Sequence, residues 1–305
     1  MIVQYYYPRR VVQMKPYTLL SLTFIVLMLS GCSKSPSIAE FNSLKAEMYL
    51  RSGEVGSAQK YISKALEAEP NLVEAHILQS KVYVIENKAD KAIEQLEKAR
   101  TIDGKDLDVL FSLGYLYTRK KDFDKALTVY NDAIATYPDT ALAFNNIAVT
   151  YHSKKEYAKA IENYKKALKI KPDFVEAHYN IGNSYAMMDK FQDAINSYNK
   201  SVELDPKYVD AYVELSSVYQ KIGNKAEAGN NVGLYYFWKE QYEKAAKAFD
   251  DVVKAHPNHA VAFNNLAVCY DKLGNRDFSL ANLKKSASLG YSPAIEICKK
   301  NNIIF

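Results

Sequence analysis

Tyrosine recurs along this chain at a fixed step of 34 residues, at Tyr49, Tyr83, Tyr117, Tyr151, Tyr185 and Tyr219. A single step of 17 leads to Tyr236, after which the longer interval resumes with Tyr270. Proline keeps the same period at Pro70, Pro138, Pro172 and Pro206, and Gly104 fills the vacant place. One alanine column runs through Ala58, Ala92, Ala126, Ala160 and Ala194, and another through Ala65, Ala99, Ala133 and Ala167. A constant step of this size marks one supersecondary unit repeated many times, each copy burying its apolar stripe against its neighbours. Composition agrees. Hydrophobic residues at 48%, charged residues at 25% and only 11 Gly and 9 Pro in 305 residues exclude a disordered or collagen-like chain and favour packed helices.

These columns resemble the tetratricopeptide repeat, over residues 39–293. The resemblance implies an all-α, helix-turn-helix solenoid winding as a right-handed superhelix. One helix of each unit starts after the proline loop, and the second starts after a polar turn such as Ser52-Gly53-Glu54 or Lys120-Lys121-Asp122. Alanine lets the helices approach closely, and proline ends the second helix by removing a donor. The half step from Tyr219 to Tyr236 predicts one missing helix, hence about seven and a half repeats with a half-repeat break. Residues 39–225 are expected to form five repeats plus a half, 226–293 two more, and 294–305 a C-terminal cap. The helix at 226–239 then has to act as second helix of one unit and first of the next. Its residues Val232, Leu234, Tyr235, Tyr236, Phe237 and Trp238 are apolar around most of its circumference, as contact on several sides requires.

Upstream of the repeats, residues 14–32 read MKPYTLLSLTFIVLMLSGC: a cation, an apolar run of about 14 residues, then small residues before Cys32. The run is shorter than the roughly 20 residues that a membrane-spanning helix needs, so a cleaved secretory signal over 1–31 is favoured, with Met14 as a possible start. Leu29-Ser30-Gly31-Cys32 resembles a lipobox, which implies a thioether-linked diacylglyceryl group, further acylation such as palmitate, and Cys32 as the mature N-terminus. Residues 33–37 form a short tether. Ser33 after the cysteine, by the enterobacterial sorting rule, points to the outer membrane facing the periplasm.

At 100° per residue, one face of each first helix is core and the opposite face lines the concave surface on which tetratricopeptide proteins hold partner peptides or helices. That face carries Asn146, Asn180, Asn231 and Asn265 in one column, with Asn183 beside it. A carboxamide both donates and accepts, so a row of them suits the backbone of an extended peptide. The row is similar to the asparagine ladder in O-linked N-acetylglucosamine transferase. The alternative is that these residues solvate a groove or cap local turns. Leu44, Leu78, Ser112 and Glu214 interrupt the row. Acidic residues such as Glu74, Asp108, Glu176 and Asp210 stand where the carboxylate clamp of heat-shock co-chaperones needs cations, so the clamp is absent. Trp238, the single tryptophan, lies at the register break with Lys221 nearby, either as a ligand anchor or as a cover for the irregular junction.

The net charge of +5 falls to about +2 once Arg9, Arg10 and Lys15 are removed with the signal, and lysines alternate with glutamates, which argues against nucleic acid. His256 and His259 flank Pro257 without a cysteine or carboxylate set, which argues against a metal. Cys269 and Cys298 are expected to be free buried thiols. No nucleophile elbow, phosphate loop or zinc motif occurs, so no catalysis, cofactor or small-molecule substrate is expected. The expected role is a membrane-tethered scaffold for envelope proteins. A self-associating spacer or a non-catalytic subunit of an envelope complex is the alternative.

Overall fold

The computed structural model describes residues 36–305, so the signal and lipobox, Cys32 included, lie outside the described residues. The chain divides into two compact units, residues up to Asp103 and Gly104–Phe305. The first unit holds α1 (Ile38–Arg51), α2 (Val55–Ala68), α3 (Val73–Ile85) and α4 (Ala89–Ile102). The second holds α5 (Leu107–Arg119), α6 (Phe123–Thr136), α7 (Ala141–Ser153), α8 (Tyr157–Ile170), α9 (Val175–Ala186) and α10 (Phe191–Leu204). It continues with α11 (Val209–Lys221), α12 (Lys225–Trp238), α13 (Tyr242–Ala255), α14 (Ala260–Lys272), α15 (Arg276–Ser288) and α16 (Ser292–Lys300). Every described element is helical, and none is long and apolar enough to cross a membrane.

Two kinds of connection alternate. Each first helix ends in a tight turn with one left-handed residue: Gly53, Asn87, Lys121, Lys155 and Asp189 in successive repeats. Each second helix instead ends on an open conformation and the proline loop, as at Glu69, Asp103, Tyr137, Lys171, Asp205 and His256. The loop is tied down from the next first helix, where His76, His178 and Tyr212 contact the carbonyls of Pro70, Pro172 and Pro206 at 3.0, 3.0 and 3.2 Å.

The alanine columns are fully buried between helices, and opposite them the chain pairs small with large. Gly114 faces Tyr130, Gly182 faces Tyr198 and Gly233 faces Phe249 so closely that a methyl group at any of the three would overlap the ring. The tyrosine column is less buried than a core assignment implies. Tyr117 is buried, but the others are half-buried, and at four of the eight a lysine eight residues on stands near the ring. Lys91, Lys125, Lys159 and Lys244 hold their ammonium groups 5.4–5.8 Å from the rings of Tyr83, Tyr117, Tyr151 and Tyr236.

The register break is built as a shared helix. Turns of the first-helix kind occur on both sides of α12, at Gly223 before it and Glu240 after it, with φ of 80° and 59°. On one side, Tyr235 and Trp238 pack on the cluster of Ala194, Tyr198, Tyr212 and Leu215. On the other, Tyr236 and Phe237 pack on Ala245, Phe249, Val252 and Leu266, and Leu234 touches both clusters. Helix α12 thus closes the unit begun by α11 and opens the one completed by α13. The same turn recurs at Gly290 (φ 90°), after α15, so the C-terminal helix α16 also follows a half step.

Candidate partner-binding face of the first helices

All seven residues singled out on the first helices belong to the second unit, on α7, α9, α11, α12 and α14. Their side chains differ in what they are free to do. Asn146 is half-buried, and its carboxamide oxygen accepts from Asn145 Nδ2 at 3.4 Å. Asn180 is half-buried and makes no side-chain bond to the described residues. Asn183 accepts from the Tyr198 hydroxyl at 2.8 Å. Asn231 is 5% exposed and donates to the Glu227 carbonyl one turn back at 2.8 Å, so its amide is spent on its own helix. Asn265 donates to Asn230 Oδ1 at 2.9 Å, joining α14 to α12.

One asparagine pair therefore forms a rung between successive first helices, α12 and α14. The Asn230–Asn265 rung is closed. At the corresponding places in the array, the Oδ1 atoms of Asn145 and Asn264 are buried without a hydrogen-bond partner in the chain. A buried carbonyl oxygen with no donor is unfavourable by roughly 1–3 kcal/mol, so these two places are weaker joints than the Asn230–Asn265 rung. Two further rungs hold the face together: Thr118 Oγ1 lies 3.0 Å from Thr150 Oγ1, and His152 Nδ1 lies 2.9 Å from Ser184 Oγ. Ser184 spends its own hydrogen on the Asn180 carbonyl, so His152 donates from Nδ1. Burial holds the His152 pKa below its ordinary value, and the ring is neutral at pH 7.

Electrostatically the face has two ends. Asp108, Glu176 and Asp210 are exposed at the start of α5, α9 and α11, while Arg119, Lys221 and Lys272 are exposed at the ends of α5, α11 and α14. Glu214, half-buried on α11, has its carboxyl pushed up by burial and then by Asp210, with Lys221 pulling down. Lys221 reaches back over the ring of Phe191, 5.6 Å from its centroid. Trp238 is half-buried, stands edge-on to Phe237 at 5.4 Å and covers the cluster beneath α11. Burial pushes the Tyr212 phenol up to about 12, and a hydrogen bond from Trp238 pulls the other way.

His259 caps α14 by accepting from Ala262 N–H at Nδ1, 3.1 Å, which leaves Nε2 to donate to Glu227 at 3.1 Å. Both ring nitrogens are thereby used, and the described residues contain no group of three His, Cys, Asp or Glu able to hold a metal. Cys269 and Cys298 are free and buried. The inter-helix rungs went unread in the sequence, although the recurring Asn-Asn pairs at 145, 230 and 264 were the signal for them.

Five models of the tetratricopeptide repeat match along the chain, over residues 39–72, 83–145, 150–189, 175–208 and 232–277. The chain belongs to the tetratricopeptide repeat family. No curated protein sequence matches it. Among solved structures, this repeat protein is similar to PilW, described as a widely conserved type IV pilus biogenesis factor. The TM-score is 0.61 and the identity 18%, covering 70% of this chain and 98% of that one. PilF of Pseudomonas aeruginosa matches at a TM-score of 0.56 and 19% identity, over 65% and 90% of the two chains. A tetratricopeptide repeat protein from Parabacteroides merdae matches at 0.50 and 18%, over 86% and 98%. At these identities the likeness is one of fold.

Proposed function

We propose that this protein is a lipid-anchored scaffold of a bacterial cell envelope, holding a partner protein against the first helices of its second unit and carrying out no catalysis. The observation that carries the reading is the stretch from α7 to α11. There the half-buried Asn146, Asn180 and Glu214 are accompanied by exposed Glu176 and Asp210. Such a surface offers backbone-directed hydrogen bonds flanked by negative charge, and suits an extended or helical segment with cationic side chains. The anchor rests on the sequence of residues 14–32, and the outer membrane is proposed from Ser33. PilW, a type IV pilus biogenesis factor with the same fold, is consistent with assembly work at an envelope, though the likeness extends to fold alone.

The test is affinity capture of the full chain from detergent-solubilised envelope, with wild type compared with Asn180→Ala/Asp210→Lys. A foreign protein retained stoichiometrically by the wild type and lost from the variant is the expected result. Equal retention by both places the partner elsewhere, and recovery of only copies of this chain supports a self-associating spacer. The N-terminal mass, read by mass spectrometry, checks the lipid on Cys32 separately.

A further inference from the structure

The interior repeats show what a preceding neighbour covers on a first helix, and among the described residues α1 has none. On α3, Leu78 and Val82 are buried in one cluster with Ala46, Ala58 and Ile62 of the preceding repeat, and Gln79 exchanges hydrogen bonds with Gln59 of α2 at 2.7 and 2.9 Å. The column through Gln79 continues as Leu113, Ile147, Ile181, Leu215 and Leu266, and that through Val82 as Leu116, Thr150, Ser184, Val218 and Cys269, all buried. In α1 the same places are Leu44, Lys45 and Met48, with no described repeat before them. Leu44 is 43% exposed, Met48 42% and Ile38 76%. With Phe41 they occupy an arc of about 120° on α1 at 100° per residue, while Glu40 and Glu47 lie roughly opposite Ile38. A repeat array ordinarily ends in a polar cap. This end is apolar, with a cation in it.

The occupant follows from what precedes the face. Five residues separate Cys32 from Ile38, a span of at most about 22 Å at full extension. A helix with its side chains is about 10 Å across, so a chain held by lipid at Cys32 keeps the start of α1 about two helix diameters or less from the bilayer. Lys45 holds its ammonium 4.5 Å from the Phe41 ring and 5.2 Å from that of Tyr61, and Lys64 approaches Tyr61 at 5.5 Å. Under a second protein these cations would be desolvated at a cost. At a bilayer surface they reach the phosphates while Ile38, Phe41, Leu44 and Met48 enter the boundary with the acyl chains.

We infer that the end face of α1 is a membrane-contact surface, seated on the lipid headgroups beside the acylated Cys32. The inference rests on the lipid-anchor reading above. It predicts that the first unit lies directly on the bilayer instead of swinging from a free tether.

The test uses the full lipidated chain in vesicles of phosphatidylethanolamine and phosphatidylglycerol, with Met48→Cys carrying a nitrobenzoxadiazole label and Glu243→Cys, exposed on α13, as the control. Cys269 and Cys298 are buried and stay unlabelled in the folded chain. Doxyl-labelled lipid should quench position 48 several-fold more than position 243, and Lys45→Glu, on the exposed end and folded by its melt, should bring quenching at 48 to the control level. A lipidated chain in which 48 and 243 are quenched alike refutes the contact and leaves the anchor standing. An N-terminal mass without lipid removes both. Shielding of position 48 that rises with protein density, or 48–48 crosslinks, assigns the face to a second copy and likewise overturns the inference.

Discussion

Helix α12 is held from two sides, and Gly233 is where that arrangement is most sensitive. A methyl group on Gly233 would lie 2.6 Å from both Cδ1 and Cζ of Phe249, a ring that is fully buried. Overpacking of this kind is destabilising by about 1–3 kcal/mol, and alanine in place of glycine returns about 1 kcal/mol of helix propensity. The same column admits a methyl elsewhere, since Ala148 is buried in one cluster with Tyr164. A first helix that contacts its own second helix closely and the preceding repeat more lightly can shift to make room. Helix α12 cannot, because moving from α13 drives Tyr235 and Trp238 into the cluster under α11. Gly233→Ala is therefore expected to destabilise α12 and α13 by about 1–2 kcal/mol, whereas Gly182→Ala, against Tyr198, should be near neutral. With Phe249→Leu in the background, Gly233→Ala should reverse sign and stabilise by several tenths of a kcal/mol. Repeat arrays unfold locally, so the measurement is native-state hydrogen exchange of the α13 amides. Equal effects of the two glycine substitutions, or no dependence on Phe249, would refute the shared-helix argument.

Cys32→Ala should leave an unlipidated precursor with its signal uncut, read by the mass of the N-terminal peptide. Burial pushes the Cys269 thiol up to about 12 from an ordinary 9, so a disulfide reagent at pH 8 should leave it unmodified until the chain unfolds. By the same linkage, the stability that Cys269 and Tyr212 contribute with raised pKa values is fully present below pH 9 and is lost toward pH 12, so the melting temperature should fall between pH 9 and 11. Asn265→Ala removes the donor to Asn230 Oδ1 and leaves a buried acceptor unpaired, a loss of about 1–3 kcal/mol. Asn265→Ala with Asn230→Leu should recover part of that loss in a urea titration.

The period of the repeat was legible in the sequence because the residues that repeat are the ones sterically dictated. Alanine stands where two helix axes nearly touch, and proline stands where a second helix has to stop. The half step was legible for the same reason: counting from Tyr219 to Tyr236 leaves room for one helix only, and α12 occupies it. What the sequence concealed is how polar side chains divide their bonds. Asn146, Asn180, Asn231 and Asn265 share one column and one residue type, yet Asn231 is turned onto its own backbone while Asn265 bridges to the neighbouring helix. Periodicity fixes which face a side chain leaves from. It does not fix whether a carboxamide meets its own helix, the next helix or an empty site, because those outcomes differ by single hydrogen bonds of about 1 kcal/mol and by the spacing between repeats. The tyrosine column shows the same limit from the apolar side. Its rings look like core by position, but most are half-buried, and at Tyr83, Tyr151 and Tyr236 it is a lysine eight residues later that approaches the ring, its ammonium free to remain in water while its stem lies along the ring. The end of the array follows the opposite logic. Leu44, Lys45 and Met48 obey the period as faithfully as Leu78, Gln79 and Val82, and differ from them in facing no repeat among the described residues, so it is the lack of a described neighbour, legible only once the helices are stacked, that sets this column apart from the core columns that continue it.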